Sequence, residues 1–290
     1  MNENKRTAKF TFTKVSMVML LYELIFQVGS AALIAFGGET YANEDLSMLV
    51  ISIVGLLVAF LILGNETSVA VNYKRFTVLH FLGFLLAVYG LQAFSAMLSD
   101  PLITFLEDHG HDMEYATDVA TGVTTDFWGI VYSVIGAPLF EECLFRGLFF
   151  RPLRRYGRIF AIIVTALLFA LMHGNIIQFP TALFVGLLFA CVRADYGLPA
   201  SILLHMSNNL FAMVFNGLSE AEPWSTIYIV FLYAGMLAVI VLLIRHIRDV
   251  YEDFRDEPHL GRSLEWFFTT PAVILVILLF TALTIFSIFE

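Results

Sequence analysis

Glu141 and Glu142 stand side by side in an apolar stretch, with Arg146 four residues after the second. A charge at the centre of a bilayer costs roughly 2.5–3.5 kcal/mol even on the lenient insertion scale. Three such groups within six residues need partners or a purpose. Two further pairs at helical spacing follow: Phe169 with His173, and His205 with Asn209, the latter preceded by Asn208. A separation of four places each pair on one helix face. Glu142 and Arg146 can therefore form an ion pair inside a bundle. Glu141 is rotated about 100° from Glu142 and points elsewhere. Pro138 should kink the helix or free a carbonyl just before them.

These residue types permit peptide-bond hydrolysis. A buried carboxylate can take a proton from water. A histidine can hold that water, and a histidine N–H with an asparagine amide can donate to a developing oxyanion. Alternatively, Glu141, His173 and His205 form a two-histidine, one-carboxylate set that would suit catalytic zinc (Zn2+) with one open position. No His-Glu-x-x-His helix is present, and no serine triad is evident. Cys143, beside two acids, is a poor thiolate. At about 1.5 Å rise per residue, Glu141 lies about 15 Å from Arg151, His205 about 10 Å from Leu198 and His173 about 22 Å from Arg158. Three ligands at uneven depths are hard to bring to one ion, which tilts the choice toward metal-free chemistry and leaves the cofactor open.

The elements that must position these groups are membrane helices. The chain has 290 residues, 59% hydrophobic and 14% charged, against about a quarter charged in soluble domains. Nine apolar stretches approach the length a bilayer requires: 15–37, 46–64, 77–98, 127–150, 159–174, 176–193, 198–217, 225–244 and 266–288. With the N-terminus inside, fifteen of the sixteen Lys and Arg fall in inner segments and the last, Arg146, lies within a helix. The outer segments carry acids alone. This satisfies the positive-inside rule at every connection and gives an all-α, polytopic bundle of about nine helices, N-in and C-out. The first stretch is too long for a signal-peptide core and reads as an uncleaved helix. The outer stretch Asp100–Asp126 reads as a solvated acidic loop; its Asp108-His109-Gly110-His111-Asp112 matches no ligand spacing. Cys143 and Cys191 suggest no disulfide. Glu23 and Gln27 on the first helix, and Gln92 on the third, read as polar contacts between helices, with substrate contact the lesser reading. His80, near a helix start, reads as interfacial.

Together, Glu141-Glu142-x-x-x-Arg146, Phe169-x-x-x-His173 and His205-x-x-x-Asn209 resemble the three motifs of the CPBP family of intramembrane proteases, which includes the type II CAAX prenyl endopeptidases and bacteriocin-processing proteins. The resemblance covers about residues 126–217, which read as a catalytic core. Residues 1–125 and 218–290 match only as hydrophobic spans, and a ninth helix would be an addition to the family's core. The resemblance implies that Glu141 is the general base, acting with His173 on water, and that His205 and Asn209 stabilise the oxyanion. Glu142 and Arg146 would shape the site, with Phe169 packing beside His173. The family is labelled metallopeptidase, although a metal-free glutamate mechanism has been argued for it. The substrate expected is a membrane-embedded peptide or protein: a prenylated chain, a peptide precursor or a membrane-anchored regulator. The setting expected is the lipid bilayer of a prokaryotic cell membrane, with no nucleic acid as partner. The competing readings are a non-catalytic immunity or scaffold protein of the same family, and a proton-coupled carrier, which no inverted repeat supports.

Overall fold

The computed structural model describes residues 2–66, 69–121, 126–218 and 222–289, and all regular structure among the described residues is helical. In chain order the helices are α1 (Asn2–Phe36), α2 (Glu44–Leu63), α3 (Val78–Asp108), α4 (Glu114–Thr121) and α5 (Phe127–Tyr156). They continue with α6 (Arg158–Met172), α7 (Gln178–Tyr196), α8 (Leu198–Leu218), α9 (Trp224–Arg255), α10 (Leu260–Phe268) and α11 (Pro271–Phe286). Each apolar stretch of the sequence has a helix. Seven of these helices are long and apolar enough to cross a membrane, or eight if the bent pair counts as one span. The chain is an integral membrane protein of all-helical architecture.

The two remaining stretches differ from plain spans. α6 has only 15 residues, about 22 Å, short of the roughly 30 Å hydrocarbon core. The last stretch is split into α10 and α11, which meet at 72°. Pro271 stands at the break: it has no N–H to continue the ladder and restricts the residue before it.

Helix ends also depart from the hydropathy limits. α1 begins at Asn2, α9 runs on to Arg255, and α3 continues through Pro101 to Asp108. The stretch read as a loop from Asp100 to Asp126 is therefore largely helical among its described residues, with α4 inside it. Hydropathy marks where the bilayer ends. An established helix propagates past that point, because each added residue gains a hydrogen bond without a new nucleation cost.

Two hydrophobic clusters hold the bundle. One joins α1, α2, α5, α6, α7, α10 and α11 around Phe12, Met19, Phe145, Phe160, Phe267 and Phe280. The other joins α3, α7, α8 and α9 around Val88, Tyr89, Phe189, Leu204 and Phe231. In the second, α3 and α9 touch backbone to backbone at Gly90 and Gly235. A Cβ on Gly90 would lie 2.2 Å from the Gly235 carbonyl carbon. Small residues allow such close crossings in a membrane. Gly90→Leu is expected to separate these helices and to lower thermal stability in detergent by about 1–3 kcal/mol or more; a thermal scan matching the unsubstituted protein would refute the contact.

The segments rich in Lys and Arg meet at one end of the bundle. Glu66 binds Lys14 at 2.6 Å and Arg155 at 3.3 Å. Asp195 binds Lys74 at 2.9 Å and Arg158 at 2.7 Å, and Arg158 also pairs with Asp253. Glu257 accepts the backbone N–H of Ile159 at 2.6 Å at the start of α6. Here a side chain from the connection after α9 satisfies an N–H that a helix start leaves unpaired. At the opposite end Asn43 donates to Asp126 at 3.1 Å. That bond is the first cause holding the Asp126 carboxyl below its ordinary range.

Candidate active site

At the seam of the two clusters lies a cavity of about 780 Å³. Glu141 of α5, Phe169 and His173 of α6, and His205 and Asn209 of α8 all line it. α6 ends at Met172 and His173 caps it. Despite the depth mismatch estimated from sequence, His173 lines the same cavity as Glu141 and His205. Walls also come from Tyr22 on α1, Ser52 on α2, Gln92 on α3, Thr117 on α4 and Tyr228 on α9. The flanking segments thus complete the cavity that the central one begins.

The site helix α5 is wound irregularly. Residues Tyr132–Gly136 and Glu142–Phe149 are π-helical, with an α-helical segment at Ala137–Glu141. In the first π segment the Ala137 N–H reaches back five residues to the Tyr132 carbonyl. The next carbonyl, Ser133, would look to Pro138, which has no N–H to give. Asn209 takes it instead: its Nδ2 donates to the Ser133 oxygen at 2.9 Å. The carbonyl freed by proline is thereby the anchor of a site residue. The Arg146 carbonyl, in the second π segment, accepts from Arg193 Nε at 2.8 Å.

Asn209 is held from its other side too. Gln92 Nε2 donates to Asn208 Oδ1 at 2.7 Å, and Asn208 Nδ2 donates to Asn209 Oδ1 at 3.1 Å. The chain Gln92–Asn208–Asn209–Ser133 fixes the amide plane and leaves Asn209 one N–H outside it. Gln92 is thus a polar contact between helices, as expected from the sequence, but one whose end point is the site. Gln92→Leu is expected to reduce turnover of a cleaved peptide about tenfold through loss of this orientation, with KM nearly unchanged. Unchanged kcat would show that the amide needs no such support.

His205 lies between the two glutamates. Its Nδ1 is 3.1 Å from Glu142 Oε1, and its Nε2 is 3.7 Å from Glu141 Oε2. The first is a hydrogen bond; the second is an ion-pair distance. Glu142 Oε1 is also 3.4 Å from Arg146 NH1, and both side chains are 0% exposed. The expected pair is present and extends through His205 to Glu141. Spacing along single helices could not show this link, because it joins α5 to α8. The Glu141 side chain, by contrast, is 21% exposed, toward the cavity.

Aromatic rings fill the space between these groups. The Arg146 guanidinium carbon lies 4.3 Å from the Phe169 ring centre, a cation–π contact. Phe169 meets His173 edge-on at 4.8 Å and His205 at 5.8 Å. Phe189, which the motifs do not mark, lies 4.6 Å from the His205 ring. Gly186 lets α7 close onto this cluster: its carbonyl accepts from Arg146 NH2 at 3.0 Å, and a Cβ there would be 2.9 Å from Phe169. His173 Nδ1 sits 2.8 Å from the Phe169 carbonyl, which leaves its Nε2 for the cavity.

A metal site was the other reading of Glu141, His173 and His205. Among the described residues no group of three or more His, Cys, Asp or Glu is arranged to hold a metal ion. As placed, these donors do not fit resident zinc, and the Asp108–Asp112 segment supplies no set either. Glu23 and Gln27 do not bridge helices. They bind each other at 2.8 Å on α1 and line the cavity. His80 closes a capping box with Thr77 at the start of α3.

The chain is thus an all-helical membrane protein with Glu141, His173, His205 and Asn209 on the wall of one cavity. Residues 123–211 match the family described as Type II CAAX prenyl endopeptidase Rce1-like. The match spans all three motifs and supports membership of the CPBP family, and with it an intramembrane protease function in general. No curated protein and no solved structure matches the chain.

Proposed function

We propose that the protein is an intramembrane endopeptidase that uses Glu141 as general base. The observation carrying this reading is the meeting of Glu141 and His205 at 3.7 Å on the wall of a cavity that His173 and Asn209 also line. The cluster Glu141, Glu142, Arg146 and His205 holds two carboxylates and one guanidinium. One proton between Glu141 and His205 makes the four groups neutral, as a low-dielectric site favours. With that proton on His205 Nε2, the imidazole is a donor and Glu141 a free carboxylate.

The reaction then runs on groups of the chain. His173 Nε2 and Glu141 hold a water. Glu141 takes its proton as the water oxygen attacks the scissile carbonyl carbon. The oxyanion accepts hydrogen bonds from His205 Nε2–H and the remaining N–H of Asn209. Collapse breaks the C–N bond, and Glu141 returns the proton to the leaving amine. Phe169 and Phe189 keep the two imidazoles in place, while Glu142 and Arg146 orient His205 from behind.

The substrate class is a membrane-embedded peptide or protein: a peptide precursor, a membrane-anchored regulator or a prenylated CAAX chain. The setting is a prokaryotic cell membrane, with the basic end of the bundle on the inner side. Terminus-resolved mass spectrometry of membrane and secreted peptides tests the reading, in cells with and without the protein. A precursor that accumulates uncut only without it establishes proteolysis and names the substrate. Identical peptide maps with an intact phenotype would instead mean a non-catalytic immunity or scaffold role.

A further inference from the structure

The cavity wall carries an acid–amide pair, Glu23 with Gln27, that the hydrolytic steps do not use. Its carboxylates are Glu141 and Glu23, its only other ionisable groups apart from tyrosines are His173 and His205, and no Lys or Arg lines it among the described residues. Arg146 lies behind the wall, committed to Glu142, Gly186 and the Phe169 ring. Glu23 stands on α1 next to Tyr22, which lies within electrostatic reach of both Glu23 and Glu141. One Glu23 oxygen accepts from Gln27 at 2.8 Å. No Lys, Arg or His pairs with Glu23 among the described residues. An intramembrane carboxylate without a cation is costly, and the cost is relieved when a ligand brings the missing charge.

We infer that Glu23 and Gln27 form a subsite for a basic side chain, lysine or arginine, of the substrate. This rests on the hydrolytic reading and names its substrate class. A lysine or arginine entering the cavity meets Glu23 and the amide oxygen of Gln27.

The test uses the full chain in lipid nanodiscs and three amidated peptides that share one apolar sequence with Lys, Gln or Glu at a single position, scanned along the segment. The expected result is that kcat/KM for the Lys peptide exceeds that for the Glu peptide by at least ~10-fold at one register. Glu23→Gln should bring the ratio to about one, and Glu23→Lys should invert it toward the Glu peptide. The inversion is a gain of function, so a misfolded variant cannot imitate it. Cleavage without charge preference, or a preference that survives Glu23→Gln, overturns the subsite and leaves proteolysis standing. No cleavage of any peptide by the unsubstituted protein overturns the hydrolytic reading and the subsite with it.

Discussion

Glu141→Gln is expected to leave the protein folded and to reduce peptide cleavage by about 10²–10⁴-fold, the usual contribution of a positioned general base. Glutamine keeps the volume and one carbonyl oxygen, so it can still hold a water, but it cannot take the proton. The side chain faces the cavity and is 21% exposed, so the amide can hydrate and leaves no buried orphan. Thermal stability in nanodiscs should stay within about 1 kcal/mol of the unsubstituted protein. The neighbouring substitution separates the two glutamates. Glu142→Gln removes the charge that faces Arg146 at 0% exposure, so it should lower stability as well as activity. Retention of more than a tenth of the cleavage rate in Glu141→Gln would sink the base assignment.

The second large effect belongs to Arg146. Arg146→Ala should destabilise the protein by about 3–5 kcal/mol, because it leaves Glu142 buried without its cation. It also removes the stacking on Phe169 and the bond to the Gly186 carbonyl. Replacing both partners is the informative control. Glu142→Leu with Arg146→Met fills similar volume with no charge, and such apolar swaps of buried ion pairs are often neutral or stabilising. The double variant should therefore recover most of the lost stability. It should not recover activity, since His205 Nδ1 then loses its acceptor at 3.1 Å. Measured denaturation midpoints and cleavage rates for the three proteins decide this. Equal destabilisation by the single and double substitutions would mean that Arg146 acts through shape, not through charge.

Much of this architecture is written in composition and spacing. Water excludes the long apolar stretches, and the bilayer requires every backbone group inside it to be satisfied within the segment. An all-helical membrane bundle follows with little freedom. The alternation of basic and acidic segments is equally legible, and the basic ones do meet, through Glu66 and Asp195. Periodicity of 3.6 put Glu142 and Arg146 on one face, and Pro138 announced a kink or a freed carbonyl, of which the structure has the second at Ser133. The three motifs were readable because intramembrane polar groups are too costly to be incidental.

What periodicity could not supply is everything that passes between helices. Whether His205 meets Glu141, Glu142 or neither depends on how α5 and α8 cross, and spacing along one helix carries no information about another. The π-helical turns of α5 shift the faces that a regular 3.6 period assigns, so even local register is set by the folded helix and not by the repeat. Hydropathy placed helix ends at the bilayer limits, yet α1, α3 and α9 run past them, since helix propagation does not depend on lipid. The sequence by itself determined that charge would be buried in a helical membrane bundle and which side chains would carry it. Only the tertiary structure decided which of them share a cavity, because that depends on the close approach of helices such as α7 at Gly186, where a hydrogen in place of a methyl lets the guanidinium reach the facing carbonyl.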